Sequence, residues 1–125
     1  MNFPDLVAKY KIEQLRPGDG KGSPRKGDRA KVHFTGWLAD GTQFDSSKGS
    51  IVGGDQPYSF LINAGHAIKG WDEIISHMSV GESIKCFIPA QYAYGKKAVG
   101  KRIPPNSDLY YEIELISFAY EYNDL

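Results

Sequence analysis

The chain has 125 residues and a mass of 13.9 kDa, the length of one domain, and its 41% hydrophobic and 24% charged residues argue against disorder and fibrous structure. Fifteen basic residues balance fifteen acidic ones, and the resulting zero net charge leaves no electrostatic footprint for nucleic acid or a membrane surface. The departures from average are 14 Gly, 7 Pro and a ring content of 2 Trp, 8 Tyr and 6 Phe, the composition of a turn-rich β domain with aromatic residues to explain.

The start, Met1-Asn2-Phe3-Pro4-Asp5-Leu6, has neither a basic nor an apolar leader region, and no later run approaches the ~20 apolar residues of a membrane span. A single cysteine, Cys86, needs no oxidising compartment, so a cytoplasmic location is the simplest expectation. Tyr10 and Ile12 between Lys9, Lys11 and Glu13 suggest a weak first strand. Gly18-Asp19-Gly20-Lys21-Gly22 matches neither nucleotide-binding pattern and reads as a turn. Ala30, Val32 and Phe34 then alternate with Lys31, His33 and Thr35, a strand with one buried and one exposed face. Asp40-Gly41 supplies a hairpin turn before Gln43-Phe44. Asp45 follows at the strand end, and two readings are open for it: an acid that orients a ligand, or a turn residue that satisfies local backbone N–H groups.

After a glycine-rich loop from Lys48 to Asp55, the alternation of Tyr58, Phe60 and Ile62 predicts another strand. Trp71, Ile74, Ile75 and Met78 fall at i, i+3, i+4 and i+7, which predicts a helix of about three turns, with Gly81 as its stop. Ile84, Cys86 and Ile88 form a further strand face, where Cys86 reads as core rather than nucleophile. The loop from Gly95 to Arg102 carries Lys96, Lys97, Lys101 and Arg102, four cations suited to gripping phosphate or to a solvated surface. Leu109, Tyr111, Ile113 and Leu115 alternate in a last strand, and Glu121 to Leu125 form a tail. His33, His66 and His77 are scattered without metal-ligand spacing, so no metal site is expected.

Several runs, taken in order, carry a more specific signal. They are Val32-His33-Phe34-Thr35-Gly36, Gly41-Thr42-Gln43-Phe44-Asp45-Ser46-Ser47, Ile68-Lys69-Gly70-Trp71-Asp72, Met78-Ser79-Val80-Gly81-Glu82, Tyr92-Ala93-Tyr94-Gly95 and Ile103-Pro104-Pro105-Asn106. Between Gly27 and Ala119 the chain resembles the FKBP-type peptidyl-prolyl isomerases, the immunophilins. The resemblance implies an α+β fold in which a strongly bent antiparallel sheet of about five strands wraps around one short α-helix. It divides the chain into an N-terminal extension with an edge strand (1–26), an isomerase domain (27–119) and a C-terminal tail (120–125).

Carried across position by position, the resemblance puts Trp71 at the floor of an apolar pocket, with Phe44, Tyr58, Ile68 and Tyr111 as walls and Phe34 at its margin. Ala67 and Ile68 match the segment whose backbone amide holds a bound carbonyl, Tyr94 a hydroxyl that hydrogen-bonds ligand, Asp45 the pocket's acid, and Ile103 the rim. Asp45, Tyr94, Trp71 and Phe44 are the residues it implies for catalysis. The implied activity is acceleration of X-Pro rotation in protein substrates as a folding helper, with macrolides of the rapamycin and tacrolimus type binding in the same pocket. A low-turnover module that binds proline-containing segments or a regulatory partner is the alternative. The partners implied by the resemblance are X-Pro polypeptides, macrolides and, with a macrolide bound, a phosphatase or a kinase; no cofactor, metal, nucleic acid or membrane is implied.

The chain also departs from that family pattern. Phe34 stands where most relatives carry a tyrosine, so a hydroxyl expected to support Asp45 is missing, and the slightly longer segment from Asp45 to Tyr58 has no arginine. Asp45 is therefore expected to be held differently here. Tyr58 and Tyr111 replace commoner phenylalanines and add polar tips to the walls. Lys96, Lys97, Val99, Lys101 and Arg102 replace mostly small, apolar or histidine positions that present a bound macrolide to a phosphatase or kinase, which weakens the expectation of that ternary complex.

Overall fold

The computed structural model describes residues 2–48 and 56–121. Apart from Lys48, the expected glycine-rich loop up to Asp55 lies outside the described residues, as does the tail beyond 121. In chain order the elements are α1 (Phe3–Tyr10), β1 (Glu13–Arg16), β2 (Asp28–Leu38), β3 (Gln43–Ser46), β4 (Tyr58–Leu61), α2 (Lys69–Ile75), β5 (Ser83–Ile88), a 3-10 turn at Ala90–Tyr92 and β6 (Leu109–Tyr120). The strands form one antiparallel sheet in the order β1-β5-β6-β2-β3, and β4 also pairs with β2. This is the α+β architecture expected, with one more strand and one more helix than the sequence reading foresaw.

Strand β2 organises the sheet. One edge pairs with β6 from Asp28 opposite Tyr120 to Leu38 opposite Leu109, and a bulge between Lys31 and Val32 shifts the register, the kind of irregularity that bends and twists a sheet. The other edge is shared: Arg29 to Val32 pair with β4, and Thr35 to Trp37 pair with β3. The period-two faces point inward as the alternation requires. Ala30, Val32, Ile84, Cys86, Ile88, Leu109, Tyr111, Ile113 and Leu115 are all buried, and they close on Trp71, Ile74, Ile75 and Met78. Each large apolar side chain enclosed this way contributes about 1.5–3 kcal/mol.

Two glycines set the approach of elements. A Cβ at Gly36 would stand 2.5 Å from the Phe44 ring and 2.8 Å from the Tyr111 ring, so the missing side chain leaves room for both rings. A Cβ at Gly70 would meet Ile88 Cγ2 at 2.7 Å, so glycine lets α2 settle against β5.

Two expectations need correction. Tyr10 lies in helix α1 rather than in a strand, and the edge strand is β1, paired with β5 through Glu13 and Gln14. The helix forms because Asn2 caps it, its Oδ1 accepting from the Asp5 N–H at 2.9 Å, because Pro4 suits the first turn, and because Leu6 and Tyr10 share a buried face at i, i+4. All four side chains of β1 are exposed, so it carries no alternation to read. Helix α2 is also shorter than the apolar spacing suggests, with Ser76 as its C-cap. His77 and Met78 continue in i→i+3 bonds to Ile74 and Ile75, which keeps Met78 on the buried face although the helix has ended.

Candidate functional site

Between α2, the concave face of the sheet and the segment after the 3-10 turn lies a cavity of about 510 Å³. Its floor is Trp71, in the first turn of α2 and 5% exposed. Phe34 from β2, Tyr111 from β6 and Tyr58 from β4 meet the indole edge-on at centroid distances of 5.0, 5.3 and 6.0 Å. Phe44 from β3 stands perpendicular to Tyr111 at 5.6 Å, over the space that Gly36 leaves free. Edge-to-face packing of this kind braces each ring against its neighbour around the slot.

The polar groups of this cavity are largely uncommitted. Among the described residues the hydroxyls of Tyr58, Tyr94 and Tyr111 take part in no hydrogen bond, the Trp71 indole N–H is buried without a partner, and the Ile68 N–H ahead of α2 reaches no acceptor. Burial pushes the Tyr94 phenol above its ordinary pKa, reinforced by Tyr58 and the Asp45 charge, and burial does the same to Tyr111. Both therefore stay protonated donors across the neutral range.

Asp45 occupies the mouth. Its Oδ1 accepts from the Ser46 N–H at 2.8 Å and lies 4.0 Å from Arg102 Nη1, so it satisfies its local backbone and also faces the cavity. The strand end that carries it is fixed by Ser47 Oγ, which accepts from the Phe34 N–H at 2.8 Å, and by Ser46 Oγ, 3.0 Å from Thr35 Oγ1. With Phe34 lacking a hydroxyl, the polar partner of Asp45 comes from across the mouth. Val99 and Ile103 exchange backbone hydrogen bonds, Val99 N–H to Ile103 O at 2.9 Å and Ile103 N–H to Val99 O at 3.3 Å, and this small loop presents Arg102 beside the buried Ile103.

Every residue singled out from the sequence, Phe34, Phe44, Asp45, Tyr58, Ala67, Ile68, Trp71, Tyr94, Ile103 and Tyr111, lines this one cavity. Gly65, His66, Lys69, Ala93, Val99 and Arg102 line it too and were not foreseen as lining residues. Several are chain neighbours of residues that were, so adjacency was the available signal. His66 is further fixed by the Leu61 N–H, which donates to its Nδ1 at 3.3 Å. The turn that carries it is tied to α2 by the buried Asp72, whose Oδ1 accepts from the Asn63 N–H at 2.9 Å and whose pKa is raised by burial.

A family model described as FKBP-type peptidyl-prolyl cis-trans isomerase matches residues 20–116. The chain is 44% identical over 107 residues to FK506-binding protein 1A of Emericella nidulans, covering 84% of this chain and 94% of that protein. It is 43% identical over 111 residues to FK506-binding protein 1 of Saccharomyces cerevisiae, covering 89% and 94%. With the peptidyl-prolyl cis-trans isomerase Fkbp12 of Drosophila melanogaster it shares 41% over 105 residues, covering 84% and 94%.

Proposed function

The chain belongs to the FKBP-type peptidyl-prolyl cis-trans isomerases, and from that premise we propose that the cavity over Trp71 is where it turns X-Pro bonds and where FK506-like and rapamycin-like macrolides bind. The observation that carries this reading is an aromatic slot in which the Tyr58, Tyr94 and Tyr111 hydroxyls, the Trp71 indole N–H and the Ile68 N–H have no partner among the described residues.

The reaction breaks no covalent bond and needs no nucleophile. Its barrier of ~18–20 kcal/mol comes from the partial double bond of the peptide C–N, and resonance is lost as that bond twists. The planar ground state is the more charge-separated of the two, so an apolar slot holds it less well than the twisted form. Each ~1.4 kcal/mol of that difference is a tenfold gain in rate. In this assignment the proline ring lies over Trp71 between Phe44, Tyr58 and Tyr111. The Ile68 N–H donates to a peptide carbonyl next to the proline, and the Tyr94 hydroxyl donates to a second one. Asp45, steadied by Arg102, accepts an N–H of the substrate chain. Ala67 and Ile103 close the sides, and Phe34 backs the indole. No step calls for a metal or cofactor.

A folding role in the cytoplasm extends the same proposal, supported by a lone, buried cysteine that needs no oxidising compartment. Recruitment of a phosphatase or kinase by a macrolide complex would involve the loop from Gly95 to Arg102. Its lysines are the reason to test that step separately, by co-precipitation with and without macrolide.

A protease-free isomerisation assay on an X-Pro peptide, with and without macrolide, tests the main reading. Catalysis that macrolide abolishes, and that a Trp71→Ala, Asp45→Ala double variant lacks, is the expected result; equal rates for the wild type and that variant would sink it.

A further inference from the structure

The three histidines differ in what a second ring proton does to their contacts. His33 Nδ1 lies 2.9 Å from Ser47 Oγ, and a hydroxyl can donate or accept, so that contact survives protonation. His77 Nδ1 lies 3.0 Å from the Glu73 carbonyl oxygen, which only accepts, so this nitrogen already carries its proton. His66 is the opposite case. Its Nδ1 accepts from the Leu61 N–H at 3.3 Å, and a backbone N–H cannot reverse its role, so the bond exists for the neutral ring alone. The turn it crosses, from Ile62 to Ala67, leads into Ile68 at the cavity. Among the described residues that turn has one other side-chain tie, the Asp72 carboxylate on the Asn63 N–H at 2.9 Å. The charged groups near His66 are Lys69 and Asp72 of α2, Glu121 after β6, and Arg29 of β2, bridged to Glu121 at 2.7 Å. Burial raises the Asp72 carboxyl and the Arg29 bond lowers that of Glu121, and in both a positive His66 pulls the carboxyl down. A charged ring therefore has two acids within reach of its field.

We propose, resting on the isomerase reading, that His66 is a positioning residue for the reaction and makes it sensitive to acid. With the ring neutral, Leu61 and His66 close the turn, and the Ile68 N–H is held where a substrate carbonyl meets it. With the ring charged, Nδ1 becomes a donor facing another donor, so the tie opens and the ring turns toward Asp72 and Glu121. The turn is then fixed at Asn63 and at the start of α2 but not between them, so the Ile68 N–H spends less of its time in the productive position. His66 exchanges no proton with substrate in this scheme; it acts through the peptide that follows it. Imidazole is the side chain that ordinarily changes charge between pH 5 and 8, which sets the window for the effect.

The test measures kcat/KM from pH 8 to pH 5.5 in the protease-free assay, on an X-Pro peptide without titratable side chains. It compares the wild type with His66→Asn, whose Oδ1 accepts at every pH, and with His66→Phe, which keeps a ring but accepts at none. A hydrogen bond as exposed as this one shifts a two-state equilibrium by about two- to fivefold, so the wild-type value should fall by about that factor on acidification. Within each variant the ratio of the pH 8 to the pH 5.5 value should lie close to one, and His66→Asn should exceed His66→Phe at both ends. The Leu61 amide resonance should shift with the same midpoint as kcat/KM in the wild type and with neither variant, a coincidence that a merely structural histidine does not produce. A flat wild-type profile overturns the proposal. So does a fall that survives in His66→Phe, which assigns the titration to Asp72 or another group. Absence of turnover at every pH contradicts the isomerase reading instead; the Leu61 amide then still reports the tie, and a resonance unmoved between pH 8 and pH 5.5 overturns the proposal by itself.

Discussion

Glu73 and Trp71 are two positions apart on α2 and so serve different faces of it, and each anchors a group of aromatic side chains. On the Glu73 face, Tyr10 of α1 is fully buried, meets Tyr92 edge-on at 5.9 Å and donates its hydroxyl to Glu73 at 2.9 Å. Lys9 completes that group, bridged to Glu73 and lying 3.8 Å over the Tyr92 ring. On the Trp71 face the rings are held as closely, yet Tyr58 and Tyr94 remain 43% and 38% exposed and their hydroxyls take no partner among the described residues. The first group is filled by the protein itself, whereas the second stops short of filling its own space. Unspent hydrogen-bonding capacity beside apolar walls is what separates a binding site from a piece of core.

That contrast breaks if substitutions in the two groups act alike. The largest effect is expected for Tyr10→Ala, which removes a fully buried ring and should cost about 3–5 kcal/mol in urea unfolding while leaving kcat/KM per folded molecule close to wild type. Tyr10→Phe, which strips the hydroxyl from Glu73, should cost about 1–2 kcal/mol. Tyr94→Phe inverts the pattern: stability should hold within about 0.5 kcal/mol, while kcat/KM falls about three- to tenfold if its hydroxyl serves the substrate as proposed. If Tyr94→Phe destabilised the fold as much as Tyr10→Phe, the distinction between the groups would fail.

A smaller effect is expected from alkali. Burial raises the Tyr10 and Tyr111 phenols above 10.0 and pushes the Cys86 thiol up to about 12 from 9.0. Above pH 9 the unfolded chain therefore releases protons that the folded chain retains, so stability is fully present below pH 9 and declines as pH rises. Urea midpoints at pH 8 and pH 10.5 measure the decline, and Cys86→Val should reduce its slope. The smallest effect is that of Arg102→Ala on stability, below about 1 kcal/mol, since its ion pair is exposed.

What could be read without coordinates followed the periodicity of the chain. Strands β2, β5 and β6 each bury one face, and their alternation marked them. The aromatic positions of the cavity came from a family resemblance, because spacing alone does not distinguish Phe44 or Tyr111 from core. Helix α1 was hidden by its brevity, with a single buried i, i+4 pair, and β1 by having no buried side chain at all. Arg102 stood in plain view within a run of cations, but its approach to Asp45 is a long-range contact set by the Val99–Ile103 bridge.

The shared edge of β2 also bears on how such a domain can be altered. Strand β3 leaves that edge at Ser46, and β4 rejoins it at Tyr58, so both ends of the connection are held by strands paired with β2. Inserted residues there would leave the sheet register untouched and cost only chain closure, about 0.6 kcal/mol for each doubling of length. The connection is therefore a natural graft point, where recognition sequences of varied length can be placed beside the pocket without rebuilding it.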